Sequence, residues 1–163
     1  MQPETTAEML GRVPIFQGLM PNQLRAIAHD GKDVNFEPGA TILLAGNQGN
    51  AAYLILDGFV APDAHFEAWF ADEMLGCGTF LGELAMLVET TFTMTVVARW
   101  NVRALAITRE TMYALMEDDP GIAHHFAGKL VERLQQLAGD MRRVDSEFMA
   151  IENTCDNAVR MLS

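Results

Sequence analysis

Cysteine is nearly absent from this chain. Its 163 residues include two, Cys77 and Cys155, far apart and outside any CxxC pair. That excludes a disulfide framework and a cysteine-built zinc site. Positive charge is scarce as well: 11 Lys and Arg stand against 22 Asp and Glu, for a formal net charge of −11. A protein that neutralises phosphates along a nucleic acid needs a basic face. The clearest basic cluster, Arg142–Arg143, is flanked by Asp140, Asp145 and Glu147. It reads as a solvated helix face, and no nucleic-acid partner is expected. Apolar runs are short and interrupted, which leaves no transmembrane helix and no membrane partner. The first eight residues are polar and acidic, unlike a secretory signal, so a cytoplasmic location is the expectation. No nucleophile–base set, phosphate-transfer motif or metal motif is present. His124 and His125 are adjacent in a helix and point apart, a poor metal pair. Neither an enzyme nor a metal centre is expected.

Half of the residues are hydrophobic and a fifth are charged, the composition of an ordinary globular protein. One stretch organises the rest: Gly78–Thr79–Phe80–Leu81–Gly82–Glu83–Leu84–Ala85–Met86–Leu87, running on to Thr95–Val96–Val97–Ala98. It reads as strand, glycine turn, one or two turns of helix, then strand. A helix that opens from a glycine turn presents unpaired backbone N–H groups, an end suited to an anion. A plain structural turn between two strands fits the same residues.

Ahead of this stretch, a short helix over Thr6–Leu10 with Thr5 or Thr6 as N-cap and a second helix over Pro21–Ala28 are expected to pack beside the domain. The period then changes at Lys32. Val34 and Phe36 alternate with polar residues, Thr41–Leu44, Ala52–Leu56 and Phe59–Ala61 read as strands, and Gly46–Asn50 reads as a turn cluster. A hairpin at Pro62–Asp63 leads into a returning strand from His65 to Phe70. Val102–Ile107 closes the β part, and Thr108 caps the next helix. The fold class is α+β: a β-roll or jelly roll of about eight short strands, with N-terminal helices and a long C-terminal helix. The expected division is 1–119 for the roll and its flanking helices and 120–163 for the long helix.

In that helix Leu130, Leu134, Leu137, Met141, Val144, Phe148, Ile151, Cys155, Ala158 and Leu162 follow steps of four and three. Such a seam is too narrow and too long for a helix lying flat on a small β domain, so self-association is favoured. Pairing is expected to be firm over Leu130, Leu134, Leu137, Met141 and Val144. Beyond them, Glu152–Asn157 is weak in helix propensity.

The order of elements resembles a known family. Phe36–x–x–Gly39–x–x–Ile42, Gly46–x–x–Gly49–Asn50–x–x–Tyr53–Leu54–Ile55–Leu56–x–Gly58–x–Val60 and Gly78–x–Phe80 through Leu87 are similar to the cyclic nucleotide-binding domain, in the version of bacterial catabolite activator-type regulators. The resemblance covers about Val13 to Leu137. It implies a β-roll followed by a dimerising helix, hence a homodimer, and a cyclic nucleotide, cAMP or cGMP, as small-molecule effector. It makes the organising stretch a phosphate-binding cassette: Gly82 at the turn, Glu83 accepting from the ribose 2′-hydroxyl, and the N–H groups of Leu84 and Ala85 facing the cyclic phosphate. The family's phosphate-neutralising arginine falls at Phe92 or Thr93, and this cassette has no arginine. A charge-assisted hydrogen bond contributes about 1.5–3 kcal/mol and stranding a buried charge costs roughly 3–5, so affinity is expected to fall about ten- to a few thousand-fold. Arg99 and Arg103 are the cations that could reach in from elsewhere.

The sequence therefore implies a regulatory sensor domain, dimeric, with a degenerate cassette. Two alternatives remain: a vestigial pocket filled by Phe92 in a protein-interaction or oligomerisation module with an unknown partner, and a transcription regulator without its DNA-binding part. Changing Leu134 and Leu137 to Glu is expected to convert a dimer to a monomer by light scattering. An unchanged mass would mean that the seam packs elsewhere.

Overall fold

The change of hydrophobic period at Lys32 is where helix gives way to sheet. The computed structural model describes residues 3–63 and 74–162. The chain divides into two compact units, Met1–Ala123 and His124–Ser163. In the first unit, α1 (Pro3–Gly11), a 3-10 turn at Pro14–Phe16 and α2 (Pro21–Asp30) precede the strands. These are β1 (Lys32–Phe36), β2 (Thr41–Leu43), β3 (Gln48–Gly49), β4 (Ala51–Asp57), β5 (Val60–Pro62), β6 (Phe80–Leu81), β7 (Thr90–Thr91), β8 (Val96–Ala98) and β9 (Val102–Thr108). A 3-10 turn, Glu83–Met86, separates β6 from β7, and α3 (Arg109–Asp118) follows β9.

Every strand pair is antiparallel. The larger sheet has the order β1-β9-β4-β6, the second β2-β8-β5, and β3 pairs with β7. Ile55, Val102 and Ala104 from the first sheet meet Ile42, Leu43, Val60, Val96 and Ala98 from the second in one buried cluster. The core thus lies where the two sheets face each other, as the β-roll reading expects. β4 and β9 are buried almost throughout instead of alternating, the signature of strands covered on both faces.

The N-terminal helices supply part of that second cover. They are core elements, and the expectation that they pack only beside the domain does not hold: Leu10, Phe16 and Ile27 are all 0% exposed. Phe16 meets Phe80 edge to face at 5.2 Å, which ties the 3-10 turn to the strand leading into Gly82. Helix α1 spans Pro3–Gly11, so the N-cap position expected at Thr5 or Thr6 falls within the helix. Proline suits the first turn of a helix, where its missing N–H costs nothing. The turn cluster Gly46–Asn50 contains β3, and β7 was likewise unanticipated; two-residue strands carry no readable period. β5 extends through Pro62, which pairs with Val96 at an edge where a missing donor is tolerated. The expected strand from His65 to Phe70 lies outside the described residues.

The cap at Thr108 forms as expected, with Thr111 N–H donating to Thr108 Oγ1 at 3.1 Å. α4 runs from Pro120 to Leu162, continuing through the weak helix formers of Glu152–Asn157. From Val131 onward every described side chain is exposed. Leu134, Leu137, Met141 and Val144 are 54–69% exposed, while Leu130 is half-buried. Among the described residues, no helix is long and apolar enough to cross a membrane.

If the N-terminal segment is core, Phe16→Ala should cost about 3–5 kcal/mol in equilibrium urea unfolding, the range for a buried phenylalanine. A loss below about 1 kcal/mol would make the segment a separable appendage.

Candidate functional site

The site begins with a backbone requirement. Gly82 adopts φ 69° and ψ 34°, a left-handed conformation that side chains bearing a Cβ disfavour. The chain turns there out of β6 and into the 3-10 turn Glu83–Met86. Ala85 N–H donates to Gly82 O at 3.0 Å, and Leu87 N–H and Val88 N–H donate to Leu84 O at 3.0 and 2.9 Å. One of the two N–H groups assigned by resemblance to a phosphate, that of Ala85, is therefore engaged within the turn. Glu83 and Leu84 are half-buried and Ala85 is fully buried. Glu83 lines a groove of about 520 Å³ together with Met9, Arg12, Cys77 and Thr79, and the ring of Phe92 is not part of that lining.

Phe92 packs back onto the turn. Its peptide is fixed at both ends: Phe92 N–H donates to Asn47 O at 3.0 Å, and Gly46 N–H donates to Phe92 O at 2.8 Å. With Gly49 opposite Thr90 in the β3–β7 ladder, the ring lies over two glycines. A Cβ built on Gly49 would stand 2.6 Å from Phe92 Cζ and 2.8 Å from Ala85 Cβ, and one built on Gly82 would stand 3.1 Å from Phe92 Cε1. The ring also packs on the core cluster between the sheets. Gly49, Gly82, Ala85 and Phe92 thus form one contact, while Thr93 is exposed. An apolar ring on a buried methyl and two bare backbones offers no donor.

Neither arginine considered as a replacement is drawn into this contact. Arg103 pairs with Asp33 across β1 and β9 at 3.1 Å, and Arg99 is exposed in the turn before β9. A cation that does bond the cassette backbone is Arg109, which sequence reasoning passed over as the first residue of a helix. Its Nη1 donates to Val88 O at 2.9 Å and to Gly49 O at 3.3 Å, and its backbone N–H donates to Asn50 O at 2.8 Å. One turn along the same helix, Tyr113 Oη donates to Leu87 O at 2.9 Å. These contacts join residues 21 to 60 apart in the chain, so no local pattern carried a signal for them. On β4, beside the entry strand β6, Tyr53 rests edge-on against Phe36 at 5.9 Å, and burial raises its phenol pKa above 10.0. The folded state therefore retains that proton longer than the unfolded chain. This contribution is complete below pH 10 and is lost as pH rises through the folded-state value.

Comparison with known proteins agrees with this architecture. Residues 33–119 match the family model described as the cyclic nucleotide-binding domain. This chain belongs to that family. Among curated relatives, it is 28% identical over 139 residues to a CRP-like cAMP-activated global transcriptional regulator of Mycobacterium tuberculosis, covering 82% of this chain and 61% of that protein. It is 29% identical over 128 residues to the Cyclic AMP receptor protein of Thermus thermophilus, covering 76% and 58%. The chain thus spans about three fifths of the length of these relatives. Among solved structures, a cyclic nucleotide-binding-like protein from Brucella abortus aligns with a TM-score of 0.62 at 25% identity, covering 69% of this chain and 98% of that one. The N-terminal domain of a transcriptional regulator from Streptomyces coelicolor aligns with a TM-score of 0.70 at 23% identity, covering 82% and 94%.

The position of the ring has a direct test. Gly49→Ala should destabilise the protein by about 1–3 kcal/mol through overpacking. In a Phe92→Ala background the same change should cost less, with the approach to Ala85 Cβ remaining, because Gly49 and Phe92 share a contact. Equal costs in both backgrounds, measured by denaturant unfolding, would place the ring elsewhere.

Proposed function

We propose that this chain is a non-enzymatic regulatory domain, acting as a homodimer through the seam of α4, in which the cassette is retained as a structural turn and cyclic nucleotide binding is weakened. The observation that carries this reading is the ring of Phe92 packed on Gly49 and Gly82, beside exposed Thr93, at the two places where the resemblance puts the family's arginine. A fixed guanidinium would give a cyclic phosphate a counter-charge and paired donors. The phenyl ring gives neither and occupies space against Gly49 and Gly82. Gly82, Glu83, Leu84 and Ala85 are the residues that would still meet a ligand, with Phe92 and Thr93 beside them. The effectors to test are set by relatives named for cAMP and, in one case, for cGMP.

Dimerisation is supported by the seam itself. Leu134, Leu137, Met141 and Val144 expose large apolar side chains at heptad spacing on one helix, a row that a second copy of the same helix would cover. The regulatory class is supported by relatives that include transcriptional regulators, a receptor and the regulatory subunit of a cAMP-dependent protein kinase, beside a putative potassium channel and a cGMP-dependent protein kinase. A second reading, a protein-interaction module whose pocket is vestigial, is favoured by the same ring.

Titration calorimetry separates the readings. The wild-type protein is expected to give no saturable heat with micromolar cAMP or cGMP and weak binding at millimolar ligand. Phe92→Arg should tighten binding about tenfold or more. Micromolar binding by the wild type would overturn the weakened-cassette reading. Silence at millimolar ligand in both proteins would leave the interaction module.

A further inference from the structure

The carbonyls of Leu87 and Val88 close the 3-10 turn of the cassette, where a helical segment leaves acceptors without internal partners and carries partial negative charge. Both are taken by one face of α3. Arg109 and Tyr113 are four residues apart, so their side chains lie one above the other on that helix. Tyr113 Oη reaches Leu87 O at 2.9 Å, and Arg109 Nη1 reaches Val88 O at 2.9 Å. The same Nη1 also lies 3.3 Å from Gly49 O, the residue on which the Phe92 ring rests. A single guanidinium thus joins the cassette exit, the β3–β7 turn and the first residue of α3. Thr108, capping α3 through Thr111 N–H, fixes the direction in which both side chains project.

We propose that Arg109 and Tyr113 form a latch that holds α3 on the exit of the cassette without a ligand, so that the latched arrangement is the resting state of the domain. The latch rests on the weakened-cassette reading in one respect: Phe92 brings no cation to this turn, whereas Arg109 donates to its main-chain oxygens at Val88 and Gly49. All of its acceptors are main-chain oxygens, so it needs no second charged residue and no bound anion. A hydrogen bond from a cation to such an acceptor is stronger than a neutral one. The Tyr113 hydroxyl adds a neutral bond to the neighbouring carbonyl. Both residues are positioning residues: they act on the cassette from outside the place where a ligand would sit.

Site-resolved amide hydrogen exchange on the full chain tests the latch, using Arg109→Ala, Tyr113→Phe and the double variant. Opening the latch should speed exchange at the amides of Leu87, Val88 and Phe92 and along Arg109–Asp118 about tenfold or more for Arg109→Ala, and less for Tyr113→Phe. The central strands Ala51–Asp57 and Val102–Thr108 should keep their wild-type rates. Arg109→Lys, which supplies a cation without the fork, should restore part of the protection. A uniform rise across β4 and β9 would make the residues ordinary stabilisers, and no change at the cassette exit would remove the latch altogether. The outcome is independent of the calorimetry. Micromolar cAMP binding by the wild type would overturn the weakened cassette while leaving the exchange result standing, and the reverse also holds.

Discussion

The β4–β9 ladder is the constraint on which the rest of the first unit depends. The two strands pair from Ala51 opposite Thr108 to Asp57 opposite Arg103, with a register shift after Ile55. β1 is added on the free edge of β9 and β6 on that of β4. The start of β4 is continuous with the Gly49 turn, and the end of β9 is continuous with α3. Fixing this one ladder therefore brings Gly49 and Arg109 together, although they are 60 residues apart. Arg109 N–H to Asn50 O at 2.8 Å carries the pairing one step past the strand ends. A shift of one residue in the register would turn Arg109 away from Val88 and move the buried set of both strands to the wrong face.

The cassette is built on this frame from outside. Its turn depends on Gly82, its exit is held by α3, and its inner wall is the ring of Phe92. On the proposed reading a counter-charge would fall at Phe92 or Thr93, and a guanidinium and a ring make opposite demands there. An arginine there would be buried beside the sheet core and would require an anion to offset its desolvation. Phenylalanine is stable in the same place with no ligand, because Ala85 and the bare faces of Gly49 and Gly82 give it an apolar seat. In this chain the packing of Phe92 on Gly49, Gly82 and Ala85 contributes to holding the turn.

Much of this was legible in the residues. The period-2 alternation of β1, the apolar runs of β4 and β9, the cap at Thr108 and the heptad row in α4 all rest on local spacing, which a chain displays directly. The resemblance is also what draws attention to Phe92 and Thr93, where an arginine is expected and the sequence has none. What escaped is non-local. Strands β3 and β7 are too short to have a period, and their pairing is visible only across the Gly49–Thr90 contact. The helices before Lys32 read as an appendage because amphipathic helices look alike on a core and beside one; the burial of Leu10, Phe16 and Ile27 distinguishes the two. Arg109 looked like any residue opening a helix, since its acceptors are backbone carbonyls, and a carbonyl has no letter in a sequence.

That last point bears on how a cassette can change its side chains and keep its turn. Side-chain partners must change together for a contact to survive, whereas a main-chain carbonyl persists through any substitution at its own residue. Contacts from Arg109 and Tyr113 to Gly49 O, Leu87 O and Val88 O depend on backbone position alone. Replacement of side chains inside the cassette, including the one at Phe92, leaves those acceptors in place as long as Gly82 turns the chain. A cassette anchored in this way can change its interior chemistry without releasing α3, and the element that a ligand would bias in a two-state sensor is already held.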